Sequence, residues 1–383
     1  MALGAESAGN FSIYSNGELY FSEDFGDLLE ERNFSNFKTV VLKFLKEKKI
    51  KPDVILSDLH PDFHTTLLAQ ELANKYKAKY VPVQHHLAHV FSAIGDELIT
   101  DSKKLKSYSL KSCLGIACDG TGLGFDEKIW GGEVFKLKAE SGKLKAVRIG
   151  HLENQILIGG EMAINQPARI IIAILSKFLS KKEVYIHIKK YYSENEFEVL
   201  HNQLEQNFNC LETSSTARIL DAVSVLLEFS DNARLSKHGP VDLLEKNSTK
   251  PYTLKPKLEN YKLKITNFKQ NSNEMLVLNT TFLFEYLIKN ITKDKKRLAA
   301  TAQKYIADGL LELIKTCHPE FISGSREMLK QVQHDSVFLA GGMANNKIIS
   351  SILESQGVYT NKKIPRGDAG LSFGQISYYL LIK

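Results

Sequence analysis

The chain has 383 residues, which is long for one compact core and favours two lobes or two domains. Hydrophobic residues make up 43% and charged residues 25%, as in ordinary globular proteins, and no run approaches the ~18 apolar residues of a membrane span. Lysine and arginine exceed aspartate and glutamate by 50 − 44 = 6 in short, dispersed clusters. Solvated faces explain such clusters, and an anionic partner such as a nucleotide or RNA is the alternative.

The N-terminus and the cysteines indicate a protein of the reducing cytoplasm. Residues 1–10 have neither the basic nor the apolar stretch of a secretory signal. The four cysteines are scattered and form no CxxC pair, which argues against a zinc ribbon or a disulfide framework. They are Cys113, Cys118, Cys210 and Cys317. We therefore expect a cytoplasmic protein without a membrane partner.

The first elements in chain order predict an α/β unit. Residues 11–21 alternate in polarity around Asn16-Gly17 and predict a hairpin, because Asn-Gly is a strong turn pair. A helix is expected over 35–49, a strand at Val54–Leu56, a second helix over 64–77 and a strand at Tyr80–Val83. The sequence strand, helix, strand is typical of an α/β lobe.

The second block opens with a buried strand at Leu114–Cys118 that is expected to break at Asp119. Its predicted partner is Ile129–Leu137, and helical patterns dominate from 160 to 235. Residues 246–275 indicate a loop or peripheral strands. The remaining predicted elements are a helix over 299–316, a strand at Val337–Ala340 and a last helix over 370–382.

Residues 318–335 fit this pattern poorly, because a short turn would suffice between the helix and the strand that flank them. The segment is polar and resembles the peptide encoded by a mobile palindromic DNA element. We interpret it as a surface insertion without a catalytic role.

Two histidines and one aspartate are candidate metal ligands. In a helix, His85 and His89 lie one turn apart on one face, so both imidazoles could reach one ion. Two histidines at this spacing mark the start of a helix more often than a metal site, since a metal site needs further ligands. Asp368 precedes the last helix, where an N-cap is the better local interpretation and an anionic metal ligand the alternative.

Two glycine-containing segments that follow buried strands are candidate nucleotide loops. In Asp119–Gly122, glycines would let backbone N–H groups approach a phosphate, and a common Gly-rich hairpin is the alternative. In Gly341–Asn346, the Gly-Gly pair would let a ligand lie against the backbone while Asn346 contacts a base or ribose. A tight turn with an Asn cap is the alternative there.

Taken together, these segments resemble the carboxy-terminal portion of the HypF carbamoyltransferase family, which is similar to the ATPase that makes threonylcarbamoyladenosine in tRNA. The resemblance covers nearly the whole chain and depends on five motifs in a fixed order. They are DLHPD (58–62), QHHLAH (84–89), DGTG (119–122), IWGGE (129–133) and GGMANN (341–346).

The resemblance implies a two-lobed actin-like fold, as in sugar kinases and heat-shock ATPases, with RNase H-like lobes. Lobe I is expected to comprise residues 1–107 and 372–383, and lobe II residues 108–371. The resemblance also implies His85, His89 and Asp368 as ligands of one divalent metal, iron or zinc.

The other site residues are implied in the same way, around ATP or a carbamoyl-adenylate. The implied catalytic residues are Asp119, His60 and Arg169. The implied nucleotide-binding residues are Gly120, Thr121, Gly122, Asp221, Gly239, Gly341, Gly342 and Asn346.

The implied activity is transfer of a carbamoyl group to the C-terminal cysteine of HypE during hydrogenase maturation. Family members carry upstream domains that make the carbamoyl-adenylate, so we expect a separate adenylate-forming protein to supply it. One alternative is threonylcarbamoyl transfer to tRNA, although DLHPD and IWGGE favour the HypF branch. A second is a non-catalytic nucleotide-binding or scaffold protein.

The non-catalytic alternative is motivated by departures from the family pattern. A family lysine is Ala8 here, a family arginine is Leu67, and a charged pair is replaced by Asn165 and Gln166. A carboxylate in a Tyr-Glu-Gly motif is His238. A lost charge-assisted contact costs ~1.5–3 kcal/mol, so several together would weaken transition-state binding about a thousandfold or more.

Overall fold

The computed structural model describes residues 1–98, 112–140, 143–262, 274–317 and 336–382. The proposed insertion at 318–335 lies outside these residues. In the described ranges no helix combines the length and hydrophobicity that crossing a bilayer requires.

The thirteen strands of the described residues form two sheets. In chain order they are β1 (Ser12–Ser15), β2 (Glu18–Phe21), β3 (Val54–Asp58), β4 (Lys79–Val83), β5 (Ser112–Leu123), β6 (Ile129–Glu140), β7 (Lys143–Leu152), β8 (Gln155–Ile158), β9 (Cys210–Thr213), β10 (Leu258–Lys262), β11 (Glu274–Leu278), β12 (Ser336–Ala340) and β13 (Tyr359–Thr360).

Residues 1–3 join the N-terminal strands into one sheet. Ala2 pairs antiparallel with Ser12 of β1 and parallel with Leu56 of β3. The order is therefore β2, β1, residues 1–3, β3, β4. The predicted hairpin is confirmed, and its turn places Asn16 at φ 52° and Gly17 at φ 84°, as a tight Asn-Gly turn requires.

The C-terminal sheet repeats this order as β7, β6, β5, β12, β13, with the first three strands antiparallel and the last two parallel to β5. Strands β10 and β11 extend it beyond β7, and β8 and β9 lie beside β6. Two sheets with the same five-strand order confirm the predicted α/β, two-lobed actin-like class. The division of the chain into lobes at residues 107 and 371 remains a proposal.

Thirteen α-helices cover the sheets within the described residues. They are α1 (Glu31–Glu47), α2 (His64–Tyr76), α3 (His85–Leu98), α4 (Glu161–Asn165), α5 (Ala168–Leu175), α6 (Lys181–Ile188), α7 (Glu194–Glu205), α8 (Thr216–Leu226), α9 (Gly239–Lys246), α10 (Thr280–Lys289), α11 (Lys295–Cys317), α12 (Lys347–Ser355) and α13 (Leu371–Ile382). The long predicted helices are confirmed with shifts of a few residues, which is usual at helix ends.

Helices α3 and α13 cross between the two sheets. Helix α3 follows the N-terminal sheet but packs on β5 and β12, whereas α13 is the last helix and packs on β1 and β3 as well as on β7. The two helices also pack on each other, and two glycines make this approach possible. A Cβ on Gly374 would lie 1.9 Å from the carbonyl oxygen of Ala88, and one on Gly95 would lie 2.1 Å from Oγ of Ser377.

The predicted break of the first C-terminal strand at Asp119 is wrong. Strand β5 continues to Leu123, and its pairing with β6 shifts register between Cys118 and Gly122. Two glycines in this stretch tolerate the irregular backbone, so the chain bulges without leaving the sheet. Asp119 therefore lies in the bulge of a strand, between Cys118 and Gly122, which both pair with β6.

Candidate active site

Four side chains from three parts of the chain meet at the N-terminal end of α3. His85 and His89 occupy its first two turns, Asp119 lies on β5, and Asp368 lies in the turn before α13. Each offers one ligand atom, and all four atoms lie within 4.8 Å of one another. The structure thus brings together the three residues expected to bind metal and adds Asp119, which the sequence suggested for a nucleotide loop.

The spacing of these atoms fits one divalent metal ion. Nε2 of His85 lies 3.2 Å from Nε2 of His89 and 3.2 Å from Oδ2 of Asp119. Oδ1 of Asp368 lies 3.7 Å from Nε2 of His85 and 3.4 Å from Nε2 of His89. A tetrahedral centre with bonds of about 2.0–2.2 Å holds its ligand atoms about 3.3–3.6 Å apart. Two imidazoles and two carboxylates are also donors that zinc and iron accept.

Three further groups orient these side chains. Nδ1 of His85 donates to Oδ2 of Asp58 at 2.6 Å, so a metal ion would displace a proton from Nε2 while Asp58 held the other proton on Nδ1. The backbone N–H of Gly342 donates to Oδ1 of Asp119 at 3.0 Å. Nζ of Lys237 lies 2.9 Å from Oδ2 of Asp368. Asp58 and Lys237 were not assigned these roles from the sequence.

The electrostatics match a centre built to hold a cation. Burial disfavours charge on each group, but the mutual attraction outweighs it. The carboxylates of Asp58, Asp119 and Asp368 hold the pKa of His85 well above its usual value, and those of Asp119 and Asp368 raise the pKa of His89. The same histidines hold the pKa values of Asp119 and Asp368 well below the ordinary range.

His86 lies beside the cluster as a neutral imidazole. Burial, followed by the neighbouring His85, lowers the pKa of His86 to about 3. The amide of Gln84 donates to its Nδ1 at 2.9 Å. Gly122 packs against the imidazole rings of His85 and His86, since a Cβ on Gly122 would lie 2.6 Å from Cε1 of His86. Gly122 therefore makes room for the histidines instead of lining the cavity described next.

A cavity of about 310 Å³ opens beside Asp119 and Asp368. Its backbone wall includes Gly120, Thr121 and Gly342, as expected from the sequence. Four cationic side chains, none of which was singled out as a cavity cation from the sequence alone, line the rest of it. They are Arg218, Arg234, Lys237 and Arg366.

The cations are fixed to different degrees. Arg218 is 2% exposed and pairs with Asp221 at 3.0 Å, so Asp221 lies behind the cavity wall. Burial and the nearby charge of Arg218 lower the pKa of Arg234 to about 10, and its guanidinium donates to the carbonyl of Lys237. Arg366 donates to the carbonyl of Ala344 at 3.0 Å. Preorganised guanidinium groups of this kind suit phosphate oxygens.

Two expected nucleotide contacts are placed differently by the structure. The side chain of Asn346 caps α12 through the N–H of Ile349 and donates to Gln303, so it is engaged away from the cavity. Its neighbour Asn345 lines the cavity instead. Gly341 adopts φ 100° where the chain crosses β5. A Cβ there would lie 2.2 Å from the carbonyl of Cys118, so Gly341 serves this crossing.

Gly239 and the two remaining catalytic candidates lie outside the cavity lining. Gly239 begins α9 directly after His238, which does line it. His60 stacks on Phe63 at 4.3 Å, and its backbone N–H donates to Asp58, so it adjoins the residue that orients His85. Arg169 donates to Gln166 at 2.7 Å at the start of α5. The catalytic roles of His60 and Arg169 stay predictions.

The family departures fall into two groups in space. Ala8 and His238 line the cavity, so their changes alter what a ligand meets. Leu67 is exposed on α2, and the carbonyl of Asn165 accepts from the N–H of Arg234. Two of the altered positions, Ala8 and His238, therefore face the cavity, whereas the four clustered ligands are retained.

Comparison with known proteins gives the same family in both parts of the chain. Residues 1–96 match the HypF Kae1-like domain, and residues 115–375 match the second subdomain of the carbamoyltransferase Kae1-like domain. The "Probable carbamoyltransferase HypF" of Methanocaldococcus jannaschii is 32% identical over the whole of this chain and 46% of its own length.

Two solved structures share the fold. The structure of HypF from T. kodakarensis covers 99% of this chain with a TM-score of 0.76 and 29% identity, and 47% of that protein is matched. A full-length HypF in a phosphate- and nucleotide-bound form gives a TM-score of 0.78 at 22% identity, with 99% and 54% covered. The chain spans about half the length of these relatives. By its matches in both parts, the chain belongs to the family of HypF Kae1-like carbamoyltransferase domains.

Proposed function

We propose that this chain transfers a carbamoyl group from a carbamoyl-adenylate to the thiolate of a C-terminal cysteine on a HypE-like acceptor protein. One observation carries the proposal. The four-ligand cluster opens directly into a cavity lined by four cations, so a metal and a nucleotide phosphate would share one wall. The family membership narrows the acyl group to carbamoyl.

The reaction is acyl transfer. The thiolate sulfur attacks the carbamoyl carbon, a C–S bond forms, and the bond between that carbon and the phosphate oxygen breaks to release AMP. Charge builds first on the carbamoyl oxygen and then on the leaving phosphate. Both must be stabilised by groups that are already in position.

The chain's own residues are suited to the leaving phosphate. Arg218, Arg234 and Arg366 surround the cavity and would neutralise the phosphate of AMP as it departs. Gly120 and Thr121 contribute backbone where a nucleotide would lie. Asn345 would contact the nucleoside.

His85, His89, Asp119 and Asp368 would hold the divalent metal. When bound, that ion would supply Lewis-acid polarisation of the carbamoyl carbonyl. Asp58 would hold the one remaining imidazole proton of His85 on Nδ1 when Nε2 binds the metal, and the N–H of Gly342 restrains the rotamer of Asp119. We place the reaction in the cytoplasm, with a separate adenylate-forming protein as the source of the carbamoyl-adenylate.

A single-turnover assay tests this function. The purified chain is mixed with carbamoyl-adenylate, made by a separate adenylate-forming protein, and with an acceptor peptide that ends in cysteine. Zinc or ferrous iron is added in parallel reactions. We expect AMP and a peptide thiocarbamate in equal amounts, abolished by Asp368→Ala and retained by Asp53→Asn at the exposed start of β3. Product formation no faster than without the chain, under either metal, would reject carbamoyl transfer.

A further inference from the structure

Lys237 occupies an unusual position between the ligand cluster and the cavity. It lies in the turn before α9, and its Nζ is 2.9 Å from Oδ2 of Asp368. The other oxygen of that carboxylate, Oδ1, faces His85 and His89. The two oxygens of Asp368 are thus divided between a lysine ammonium and the imidazoles that would share its metal.

The two ends of this contact differ in mobility. The side chain of Lys237 is 47% exposed, whereas that of Asp368 is 13% exposed and is enclosed by α3 and β5. Lysine carries a compact charge on a flexible stem, so its ammonium can leave the carboxylate without a change in the backbone. Asp368, in contrast, stays where the cluster needs it.

The charges around Asp368 favour competition between two cations. With Lys237 paired, Asp368 already has a positive neighbour, and a divalent ion beside Oδ1 would be repelled by that ammonium. The outer oxygen of Asp119, Oδ1, accepts instead from the neutral backbone N–H of Gly342. Of the two carboxylates, Asp368 is therefore the one whose outer oxygen is paired with a lysine ammonium.

We propose that Lys237 is a resident counter-ion that competes with the divalent metal for Asp368 and so sets a weaker metal affinity than the four ligands alone would give. This inference rests on the proposed metal centre. Lys237 is a positioning residue in this scheme, because it acts through Asp368. It also lines the cavity, so an anionic ligand there would draw the ammonium away and release Asp368 to the metal.

The test is a titration of the intact metal-free chain with Zn²⁺ by calorimetry, at low and at high sodium chloride. Lys237→Met removes the charge at nearly constant length, and Lys237→Arg keeps it. We expect Lys237→Met to bind Zn²⁺ about two- to fivefold more tightly than the wild type, the range of a partly exposed charge pair. Lys237→Arg should stay within about twofold of the wild type. The difference in Zn²⁺ affinity between Lys237→Met and the wild type should shrink at high sodium chloride, because salt screens the ammonium of Lys237.

The outcomes separate this inference from the metal centre itself. Equal or weaker Zn²⁺ binding by Lys237→Met, with thermal unfolding in chelator unchanged, overturns the counter-ion role and shows that the lysine supports the ligand. His85→Ala tests the centre independently. If His85→Ala binds Zn²⁺ as well as the wild type does, or if neither the wild type nor Lys237→Met binds it, the centre and the inference both fail.

Discussion

Each sheet contributes one short segment to the same cavity, but the two segments differ in chemistry. In the N-terminal sheet this segment is Glu6-Ser7-Ala8, and Glu6 turns away to accept from the backbone N–H of His64 at 2.7 Å. In the C-terminal sheet it is Asp119-Gly120-Thr121, and Asp119 points at the histidines. One topology therefore places two segments in equivalent positions, and only Asp119–Thr121 supplies a ligand.

The helices that follow the two sheets show a complementary difference. Helix α3 begins with His85 and His89, whereas α13 is preceded by Asp368. Because the two helices pack on each other, their starts come together. One half supplies imidazole nitrogens and the other supplies carboxylate oxygens. The centre therefore needs both halves, and a change in either one should be felt there.

The largest expected effect comes from removing the ligand on β5. Asp119→Ala should lower Zn²⁺ affinity at least about a hundredfold, since even residues that only orient a ligand are worth ten- to a hundredfold. Glu6→Gln is the matched change in the N-terminal sheet and should leave the affinity within about threefold. Calorimetric titration of both variants measures this. Similar losses of Zn²⁺ affinity in Asp119→Ala and Glu6→Gln would show that the two segments contribute alike, contrary to the difference described above.

Asp58 is expected to have a smaller effect on the same measurement, because it contacts the cluster only through His85. Asp58→Asn keeps the shape but removes the charge behind Nδ1, and should weaken Zn²⁺ binding about ten- to a hundredfold. Asp53→Asn, at the exposed opposite end of β3, serves as control. Unchanged affinity in Asp58→Asn would mean that helix α3 alone orients His85.

The crossing of α3 and α13 can be tested through its glycines. A methyl group on Gly374 would collide with the backbone carbonyl of Ala88. Gly374→Ala should therefore lower the free energy of unfolding by about 1–3 kcal/mol, the usual cost of overpacking. Gly120→Ala is a control, because the nearest atom to its Cβ would be 4.0 Å away. Urea denaturation measures the free energy of unfolding of both variants. Equal values for Gly374→Ala and Gly120→Ala would mean that α3 and α13 can move apart without loss of stability.

Local patterns predicted much of this architecture. The hairpin at 11–21 depends on residues next to one another, and the apolar spacing of α1 buries Phe37, Val41 and Leu45 as a helical stripe should. The end of β5 was predicted wrongly, because glycines in Asp119–Gly122 suggested a loop whereas pairing with β6 holds the segment in the sheet. Tertiary pairing outweighed a local signal there.

The candidate site divides in the same way. The pair His85 and His89 is visible as a helical spacing, and Asp368 was assigned as a ligand through the family resemblance. The partnership of Asp58 with His85 spans 27 residues and that of Lys237 with Asp368 spans 131, so no local pattern predicts either. The four cavity cations come from three separate segments, since only Arg234 and Lys237 are close in sequence, and were likewise hidden. Charge complementarity across the fold can be seen only once the sheets are assembled.

The antiparallel strands of the two sheets also differ in the charge that they bury. The only charged residue of the N-terminal hairpin strands, Glu18, is exposed. The longer C-terminal strands bury Glu133, Arg148 and His151, and Arg148 donates to Glu133. Burial, followed by the charge of Arg148, lowers the pKa of His151 from 6.5 to about 3. The C-terminal sheet should therefore be the acid-sensitive one.

The sign of this effect follows from proton binding. Between pH 6.5 and about 3 the unfolded chain protonates His151 and the folded chain does not, so stability falls as pH falls through this window. The slope from one such group is about 1.4 kcal/mol per pH unit. His151→Gln removes the group and should flatten the loss of unfolding free energy by about this slope, measured in urea at pH 7.5, 6.0 and 5.0. The unfolding free energy of His151→Gln at pH 7.5 shows how much stability the variant loses through packing alone. Parallel pH profiles for the wild type and His151→Gln would show that His151 is protonated in the folded chain too within this window. The C-terminal sheet would then pair its buried charges more completely than the contacts of Arg148 indicate.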